Sequence, residues 1–268
     1  MSPELKTEML KKIIEDMESV AVAYSGGVDS TFLIKYTHDI LGDKAIAVTA
    51  RSSSYPKREF KEAADYAKKI GIKQIVIDSK ELDNEEYAKN PKNRCYFCKK
   101  ELFSKIIEVA KENGIKYVVD GSNFDDLYDY RPGRMAINEL SVRSPLIEAK
   151  LTKDEIRSLS KNMDLPTWNK PAFACLASRI PYGNPISSEK LTMIEQAEQY
   201  LMDLGFIQFR VRHHGDVARI EVPQSEIEKF FYDNTRDKVY NKFKEFGFAY
   251  TAIDLMGYRT GSMNETIK

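Results

Sequence analysis

Residues 23–30 read AYSGGVDS and stand between a short apolar run, residues 20–24, and a segment with helical apolar spacing, residues 29–41. A strand, a glycine-containing turn and a helix in this order place the turn at the carboxyl end of a strand. Open α/β sheets bind their ligands at that edge. Adjacent glycines let the backbone approach a phosphate closely, and the N–H groups at a helix start attract anions. The stretch therefore predicts a phosphate-binding loop on a parallel sheet.

Segments with strand-like apolar spacing alternate with segments of helical apolar spacing after this loop. Strand-like apolar runs alternate with amphipathic helical segments at residues 44–50, 57–70, 74–77, 101–113 and 117–119. Such alternation predicts right-handed crossovers and a parallel sheet covered on both faces. We expect a doubly wound α/β domain over residues 1–168.

The pattern changes after Trp168. Residues 169–186 are rich in proline and lack a clear period, which predicts a junction loop carrying Cys175. Residues 187–268 combine a long amphipathic helix, two strand-like runs around a turn at residues 214–216, further helical segments and a last short strand. We expect a smaller C-terminal α+β domain there, concerned with substrate binding and oligomerisation.

The composition excludes several classes of protein. Lys+Arg and Asp+Glu both number 41, so the formal net charge is zero, and no basic excess supports nucleic-acid binding. No apolar run reaches the roughly 20 residues that cross a bilayer, and the N-terminus lacks a signal-peptide core. Three cysteines are too few for a secreted disulfide framework. We expect a cytoplasmic protein with no membrane partner.

The phosphate loop differs from the lysine-containing P-loop because no lysine follows its glycines. An ordinary glycine turn is the alternative interpretation. In the favoured one the pyrophosphate lies in the loop, residues 49–52 flank the adenosine, and Gly121 with Ser122 faces the α-phosphate. The predicted nucleotide-binding residues are Ser25, Gly26, Gly27, Asp29, Ser30, Thr49 and Gly121.

The three cysteines allow several interpretations. Cys95 and Cys98 form a C-x-x-C placed just before a predicted helix, and Cys175 lies in the junction loop. A zinc site would need a fourth ligand, such as His213 or His214. A redox pair lacks the usual thioredoxin-like context. Three thiolates can also hold a 4Fe–4S cluster with one iron open to a foreign sulfide. Burial as small apolar side chains is the remaining alternative.

Eight motifs together resemble the LarE family, the pyridinium-3,5-biscarboxylic acid mononucleotide sulfurtransferases of the N-type ATP pyrophosphatase superfamily. The resemblance covers nearly the whole chain. The motifs are SGGVDS (25–30), RCYFCK (94–99), DGSNFDD (120–126), DYRPG (129–133), SPLIEA (144–149), WNKP (168–171), ACLASR (174–179) and RVR (210–212).

The resemblance implies an ATP- and Mg²⁺-dependent enzyme that forms AMP and pyrophosphate. It adenylates each carboxylate of the pyridinium mononucleotide and replaces it with a thiocarboxylate, on the way to a nickel-pincer cofactor. One branch of the family sacrifices the sulfur of a single cysteine. The other holds a 4Fe–4S cluster on three cysteines, which Cys95, Cys98 and Cys175 would supply here. Inorganic sulfide or another sulfur donor and a homo-oligomer, a hexamer in the family, are further implied.

The substrate of that family carries a phosphate and two carboxylates, which calls for a cationic pocket. Arg210 and Arg212 alternate on a predicted strand and would project to one face. Their planar forks suit phosphate, and the resemblance assigns them to it, with Arg179 as a further candidate. A solvated strand face is the alternative. The roles of Glu195, Glu198, His213 and His214 stay open.

Three rival functions share parts of this pattern. The first is sacrificial sulfur transfer from Cys175, with Cys95 and Cys98 structural. The second is a tRNA thiolase, which usually adds an RNA-binding module or zinc ribbon; this chain has no spare cysteines for a ribbon. The third is a nucleotide-binding regulator without enzymatic activity.

Overall fold

The computed structural model of the 268-residue chain describes residues 1–128, 132–171, 175–259 and 261–263. The predicted motif at residues 129–133 and the start of the motif at residues 174–179 fall partly outside the described residues. The chain divides into two compact units. The first contains Met1–Glu81 and Asn93–Phe173, and the second contains Leu82–Lys92 and Ala174–Lys268.

The first unit is built on a four-stranded parallel sheet, so the predicted doubly wound α/β fold is confirmed. The strand order is β3-β2-β1-β4, with Val20 of β1 opposite Ala45 of β2 and Tyr117 of β4. The strands are β1 (Val20–Ala23), β2 (Ala45–Arg51), β3 (Lys73–Asp78) and β4 (Tyr117–Val119).

Helices cover both faces of this sheet. The helices of the first unit are α1 (Pro3–Met17), α2 (Val28–Leu41), α3 (Lys57–Ile70), α5 (Arg94–Glu112), α6 (Gly133–Glu139), α7 (Pro145–Glu148) and α8 (Lys153–Asn162). Alternate residues of one strand enter different cores, because side chains alternate across a strand. Ala47 of β2 packs in the core that contains Phe32, whereas Val48 packs in the core that contains Phe103.

A capping box stands at the start of α8. The Thr152 hydroxyl accepts a hydrogen bond from the Glu155 backbone N–H, and the Glu155 carboxylate accepts one from the Thr152 N–H at 2.9 Å. Two of the N–H groups that a helix start leaves without partners are thereby satisfied. Lys6 forms an ion pair with Glu155 at 2.8 Å, which ties α1 to this end of α8.

The long helix α5 begins earlier than the sequence predicts. It starts at Arg94 rather than at residue 101, so Cys95 and Cys98 lie within its first turns and not before it. The prediction was wrong because residues 94–100 lack a clean apolar period. Polar contacts hold this turn instead: the Lys100 ammonium donates to the Tyr96 hydroxyl at 2.9 Å, and Tyr96 donates to Glu139 at 2.8 Å.

The second unit contains a three-stranded sheet in the order β5-β6-β7. Strands β5 and β6 form an antiparallel hairpin, and β7 pairs with β6 in parallel. The elements of this unit are α4 (Glu85–Ala88), α9 (Ser188–Asp203), β5 (Arg210–His214), β6 (Val217–Glu221), α10 (Gln224–Ile227), α11 (Thr235–Glu245) and β7 (Tyr250–Ile253). The strand-like run before the turn at residues 214–216 forms β5 from Arg210 onwards. The residues just before it close α9, since the Phe206 N–H bonds to the Leu201 carbonyl at 3.1 Å.

The segment Leu82–Lys92 joins the second unit although it lies within the range predicted for the first domain. The buried side chain of Asn90 explains this placement. Its Nδ2 donates to the carbonyl oxygens of Ile180, Pro181 and Asn184 at 3.2, 2.8 and 2.9 Å. These contacts join residues about 90 positions apart, which no local pattern encodes.

Within the part of the chain that the structure describes, no helix is both long and apolar enough to pass through a membrane.

Candidate nucleotide and sulfur site

The predicted phosphate loop connects β1 to α2 and is ordered by its own serines. The Ser25 N–H donates to the Ser30 hydroxyl at 3.3 Å, and the two hydroxyls lie 3.1 Å apart. Gly27 is the N-cap of α2, and among the described residues no side chain caps this helix start. The N–H groups of the first turn are thus left to an anionic ligand, as in other phosphate sites at helix N-termini.

Glycine is required at two of the predicted positions for steric reasons. Gly26 has φ +66°, and a Cβ there would stand 2.9 Å from the Ala63 Cβ of α3. At Gly121, after β4, a Cβ would stand 3.1 Å from the Ser30 backbone nitrogen. The structure therefore brings Gly121 against the start of α2, at the same edge of the sheet as the phosphate loop.

A cavity of about 180 Å³ opens at this edge of the sheet. Its lining combines apolar side chains with hydroxyls, one carboxylate and one thiol. Ser25 of the phosphate loop and Cys98 of α5 both line it. The lining residues are Ala23, Tyr24, Ser25, Val48, Ala50, Ser52, Tyr55, Ser79, Glu81, Cys98, Leu102 and Ile106.

The predicted adenosine residue Thr49 lies beside this cavity rather than in its lining. Its buried hydroxyl accepts a hydrogen bond from Gln74 at 2.8 Å. Side chains alternate along β2, so Val48 and Ala50 line the cavity while Thr49 points to the other face. Thr49 therefore does not line this cavity, and its assignment to the nucleotide site stays a prediction.

Tyr55 and Glu81 are among the lining residues of the cavity that sequence reasoning missed. The Tyr55 hydroxyl donates to the Ser25 carbonyl at 2.6 Å and so buttresses the phosphate loop. The buried Glu81 carboxylate accepts hydrogen bonds from Ser54 at 2.8 Å and Ser79 at 2.6 Å. The polar run at residues 52–55, directly after β2, is the sequence signal that could have indicated Tyr55.

Asp29 offers a carboxylate oxygen next to the phosphate loop. Its Oδ2 pairs with the Lys153 ammonium at 2.6 Å, while its buried Oδ1 has no hydrogen-bond partner among the described residues. Mg²⁺ at phosphate sites is bound through one or two carboxylates together with the phosphates. A buried carboxylate oxygen without a partner therefore fits the ion that a nucleotide would bring.

Lys99 is a further residue that sequence reasoning missed. It follows Cys98 on α5, and its ammonium lies 3.6 Å from the Asp120 carboxylate at the end of β4. Asp120 also accepts a hydrogen bond from the Ser144 hydroxyl at 2.6 Å. A cation is thus held between the thiol-bearing turn of α5 and the loop that contains Gly121.

The cysteines are distributed over both units. Cys95 is exposed and Cys98 half-buried; three positions apart on α5, they lie on the same side of the helix. Cys175 belongs to the second unit, is exposed and immediately precedes the 3₁₀ turn Leu176–Arg179. Among the described residues no three His, Cys, Asp or Glu side chains are grouped closely enough to hold a metal ion. The three-cysteine site stays a prediction.

Arg179 is fully buried in the second unit and forms an ion pair with Glu198, a residue whose role the sequence alone left open. Its Nε and Nη2 donate to Glu198 at 2.8 and 2.9 Å, a bidentate pair. Its Nη1 donates to the carbonyl oxygen of Cys175 at 3.1 Å. Glu198 also accepts the Val211 N–H at 3.0 Å. Arg179 therefore fixes the backbone of Cys175.

Arg210 and Arg212 lie on β5 as predicted, but they are buried and not a solvated face. The Arg210 guanidinium lies 5.2 Å from the centre of the Tyr258 ring. Burial, together with Arg179, lowers the pKa of Arg210 to about 10. Arginine accepts this environment because it keeps its charge at neutral pH.

Arg212 donates hydrogen bonds to one carboxylate and to two neutral oxygen atoms. Its Nη2 donates to Glu221 at 2.8 Å and to the Ser262 hydroxyl at 2.7 Å, and its Nη1 donates to the Ser178 carbonyl at 2.9 Å. Its buried Nε–H has no partner in the described part of the chain. Arg212 is thus joined to the residue next to Arg179, and within the described residues one of its donors is left unsatisfied.

The two histidines have ordinary structural contacts. His213 is buried and packs 5.5 Å from the Phe248 ring, and burial lowers its pKa. The Nε2 of His214 accepts a hydrogen bond from Arg219 at 3.2 Å, and burial lowers the pKa of His214 as well.

Comparison with known proteins gives consistent matches. The family model described as the arginosuccinate synthase N-terminal HUP domain matches residues 19–166. The pyridinium-3,5-bisthiocarboxylic acid mononucleotide synthase of Lactiplantibacillus plantarum is 37% identical over 98% of this chain and 95% of its own length. An uncharacterized protein of Synechocystis sp. is 44% identical over 98% of both chains. Another, from Methanocaldococcus jannaschii, is 31% identical over 91% of this chain and 92% of its own.

Proposed function

Since the chain belongs to the LarE family within the N-type ATP pyrophosphatase superfamily, we propose that it is an ATP-dependent sulfur insertase acting on pyridinium-3,5-biscarboxylic acid mononucleotide. It converts both carboxylates to thiocarboxylates in the biosynthesis of a nickel-pincer cofactor. We infer this substrate from the name of the Lactiplantibacillus relative, which gives the bisthiocarboxylic acid mononucleotide as the product.

One observation carries the proposal: Ser25 of the phosphate loop and the thiol-bearing Cys98 line the same cavity. An ATP whose phosphates lie in the loop would place its α-phosphorus at the edge of that cavity. Sulfur chemistry and nucleotide chemistry would then share one site in the first unit. A nucleotide-binding regulator has no need for a thiol at this position.

The reaction consists of two substitutions. A substrate carboxylate oxygen attacks the α-phosphorus, the bond to the β-phosphate oxygen breaks, and pyrophosphate leaves on the loop and the first turn of α2. Hydrosulfide then attacks the acyl carbon, and AMP leaves with the oxygen, which gives a thiocarboxylate. The N–H groups of the loop stabilise the charge that develops on the leaving pyrophosphate.

The bound groups would be held by the residues already described. Mg²⁺ would be held by Asp29 and would neutralise the phosphates. Cys95, Cys98 and Cys175 are the proposed ligands of a 4Fe–4S cluster, which would supply an iron able to carry sulfide. Arg210 and Arg212 are the proposed ligands of the substrate phosphate. Arg179, which is saturated by Glu198 and Cys175, is assigned to positioning Cys175 instead.

The test is anaerobic turnover of the full chain with ATP, Mg²⁺, the pyridinium mononucleotide and sulfide. We expect one pyrophosphate and one AMP for each thiocarboxylate, together with bound iron and sulfide. Cys98→Ala should lose iron and thiocarboxylate formation but keep pyrophosphate release, because adenylation needs only the loop. Wild-type protein that releases no pyrophosphate with this substrate would contradict the proposal.

The rival functions predict other results in the same assay. Sacrificial transfer predicts a Cys175 peptide lighter by one hydrogen sulfide after turnover and activity without iron. A tRNA thiolase predicts pyrophosphate release with tRNA in place of the mononucleotide. A regulator predicts ATP binding without pyrophosphate release from any acceptor.

Asp29→Asn tests the proposed role of the carboxylate beside the loop. We expect Mg²⁺-dependent pyrophosphate release to fall by about 100-fold, since a metal ion supplies several kcal/mol of charge stabilisation. The measurement is the initial rate as a function of Mg²⁺ concentration. Asp39→Asn, an exposed position on the same helix, is the matched control and should leave the rate unchanged. An unchanged Mg²⁺ dependence in Asp29→Asn would remove Asp29 from the site.

A further inference from the structure

We infer that Lys170 is a positioning residue of the phosphate loop, and this inference rests on the proposed use of that loop for ATP. Lys170 lies in the motif at residues 168–171, to which no role has been assigned above. Its ammonium lies 3.4 Å from the Gly26 carbonyl oxygen, 2.6 Å from Glu59 and 2.7 Å from Glu62. All of these residues belong to the first unit.

The contact of Lys170 with the Gly26 carbonyl helps to set the direction in which the Gly27 N–H points. In a trans peptide the C=O and the following N–H point in opposite directions, and the described chain has no cis peptide bonds. A cation on the Gly26 carbonyl therefore turns the Gly27 N–H away from Lys170. Gly27 is the N-cap of α2, so this N–H belongs to the group of donors that face the phosphates.

Lys170 also compensates buried negative charge next to the loop. The Glu59 carboxylate is 4% exposed, and the Lys170 side chain that pairs with it is 12% exposed. The second cation at Glu59 is Arg58, at 2.9 Å. Among the ion pairs of the described residues, Glu59 and Glu62 without Lys170 would outnumber Arg58, and their excess charge would repel a triphosphate bound to Gly26 and Gly27.

The backbone around Lys170 is held by helix α8. Arg157 of α8 donates to the Trp168 carbonyl at 2.7 Å and to the Lys170 carbonyl at 2.9 Å. The Lys161 ammonium lies 4.9 Å from the Trp168 ring. Arg157 of α8 thus holds the backbone of this segment, while the Lys170 ammonium contacts the phosphate loop and α3.

The experiment measures the affinity of the full chain for ATP, pyrophosphate and AMP, by calorimetry, in wild type and Lys170→Ala. We expect the ATP and pyrophosphate affinities to fall about tenfold, equivalent to about 1.4 kcal/mol. The AMP affinity should stay within about twofold of wild type, because Lys170 acts on the part of the loop assigned to the leaving phosphates. A general folding defect would weaken all three ligands together.

Two further variants sharpen the result. Lys161→Ala removes a lysine that contacts the same segment without contacting the loop, and should leave all three affinities unchanged. Glu59→Gln in the Lys170→Ala background removes the uncompensated charge and should restore part of the ATP affinity. Equal ATP affinity in wild type and Lys170→Ala, or an equal loss for ATP and AMP, would overturn the inference.

The outcomes for Lys170 and for the proposed function can be separated. Wild-type protein that binds ATP but forms no thiocarboxylate contradicts the proposed function, while the ratio of ATP affinities still decides the role of Lys170. Wild-type protein that binds no ATP contradicts both.

Discussion

Replacing Glu198 by alanine is expected to lower the free energy of unfolding by about 3–5 kcal/mol, the range found when one partner of a buried ion pair is removed. Glu198 neutralises Arg179, whose side chain is 0% exposed, and accepts the Val211 N–H of β5. Without the carboxylate, two buried guanidiniums, Arg179 and Arg210, remain close enough to depress the pKa of Arg210.

The same pair predicts an acid dependence of stability. Burial raises the pKa of Glu198, but the charges and hydrogen bonds of Arg179, with Arg210 and the Val211 N–H, outweigh burial and hold that pKa below 4.5. A carboxyl with a depressed folded-state pKa contributes stability above its unfolded-state pKa. That contribution is lost as the pH falls from about 4.5 toward the folded-state pKa. Glu198→Gln should remove this part of the acid dependence while keeping the size of the side chain.

Urea unfolding with hydrogen exchange measures both effects. Amides of residues 191–221 should exchange faster in Glu198→Ala, while amides of β1 and β2 in the first unit serve as the internal reference. Glu195→Ala, a partly buried carboxylate on the same helix, is the control and should change stability by at most about 1 kcal/mol. A Glu198→Ala variant as stable as this control would show that Arg179 finds another counter-charge.

The parts of the fold that the sequence predicted correctly are those that depend on local pattern. The β1–loop–α2 unit could be predicted because an apolar run, two glycines and a helical period follow one another within residues 20–41. The start of α5 could not, because the turn that contains Cys95 and Cys98 is held by polar contacts and has little apolar period. Asn90 places residues 82–92 in the second unit through hydrogen bonds to residues some 90 positions away.

In the candidate site, too, contiguous motifs could be predicted from sequence and contacts between distant residues could not. Gly26 and Ser30 could be predicted as loop residues because the motif is contiguous, whereas Lys170 reaches Gly26 from a position 144 residues later. Val48 and Ala50 line the cavity and Thr49 does not, since a single residue of register decides which side chain of β2 enters the cavity. Arg210 and Arg212 were located correctly, but their burial depends on Glu198 and Glu221, which sequence spacing does not connect to them.

Replacing Gly26 by alanine is expected to reduce pyrophosphate release by about 100-fold, the cost of displacing a reacting group by roughly 1 Å. Two penalties combine at this position. A side chain at φ +66° costs about 1–2 kcal/mol. The added Cβ would also stand 2.9 Å from the Ala63 Cβ, and overpacking of this kind costs about 1–3 kcal/mol. The loop can relieve the contact only by moving away from α3, which shifts the Gly27 N–H.

The chain offers a control that separates the two penalties. Gly71 has φ +79° at the end of α3, and a Cβ there would meet nothing within 4 Å. Gly71→Ala should therefore cost about 1–2 kcal/mol of stability from the backbone alone and leave pyrophosphate release unchanged. The double variant Gly26→Ala with Ala63→Gly removes the clash but keeps the strained φ. If the clash displaces the loop, this variant should recover most of the lost rate; if its rate stays as low as that of Gly26→Ala, backbone strain and not contact with α3 sets the shape of the phosphate loop.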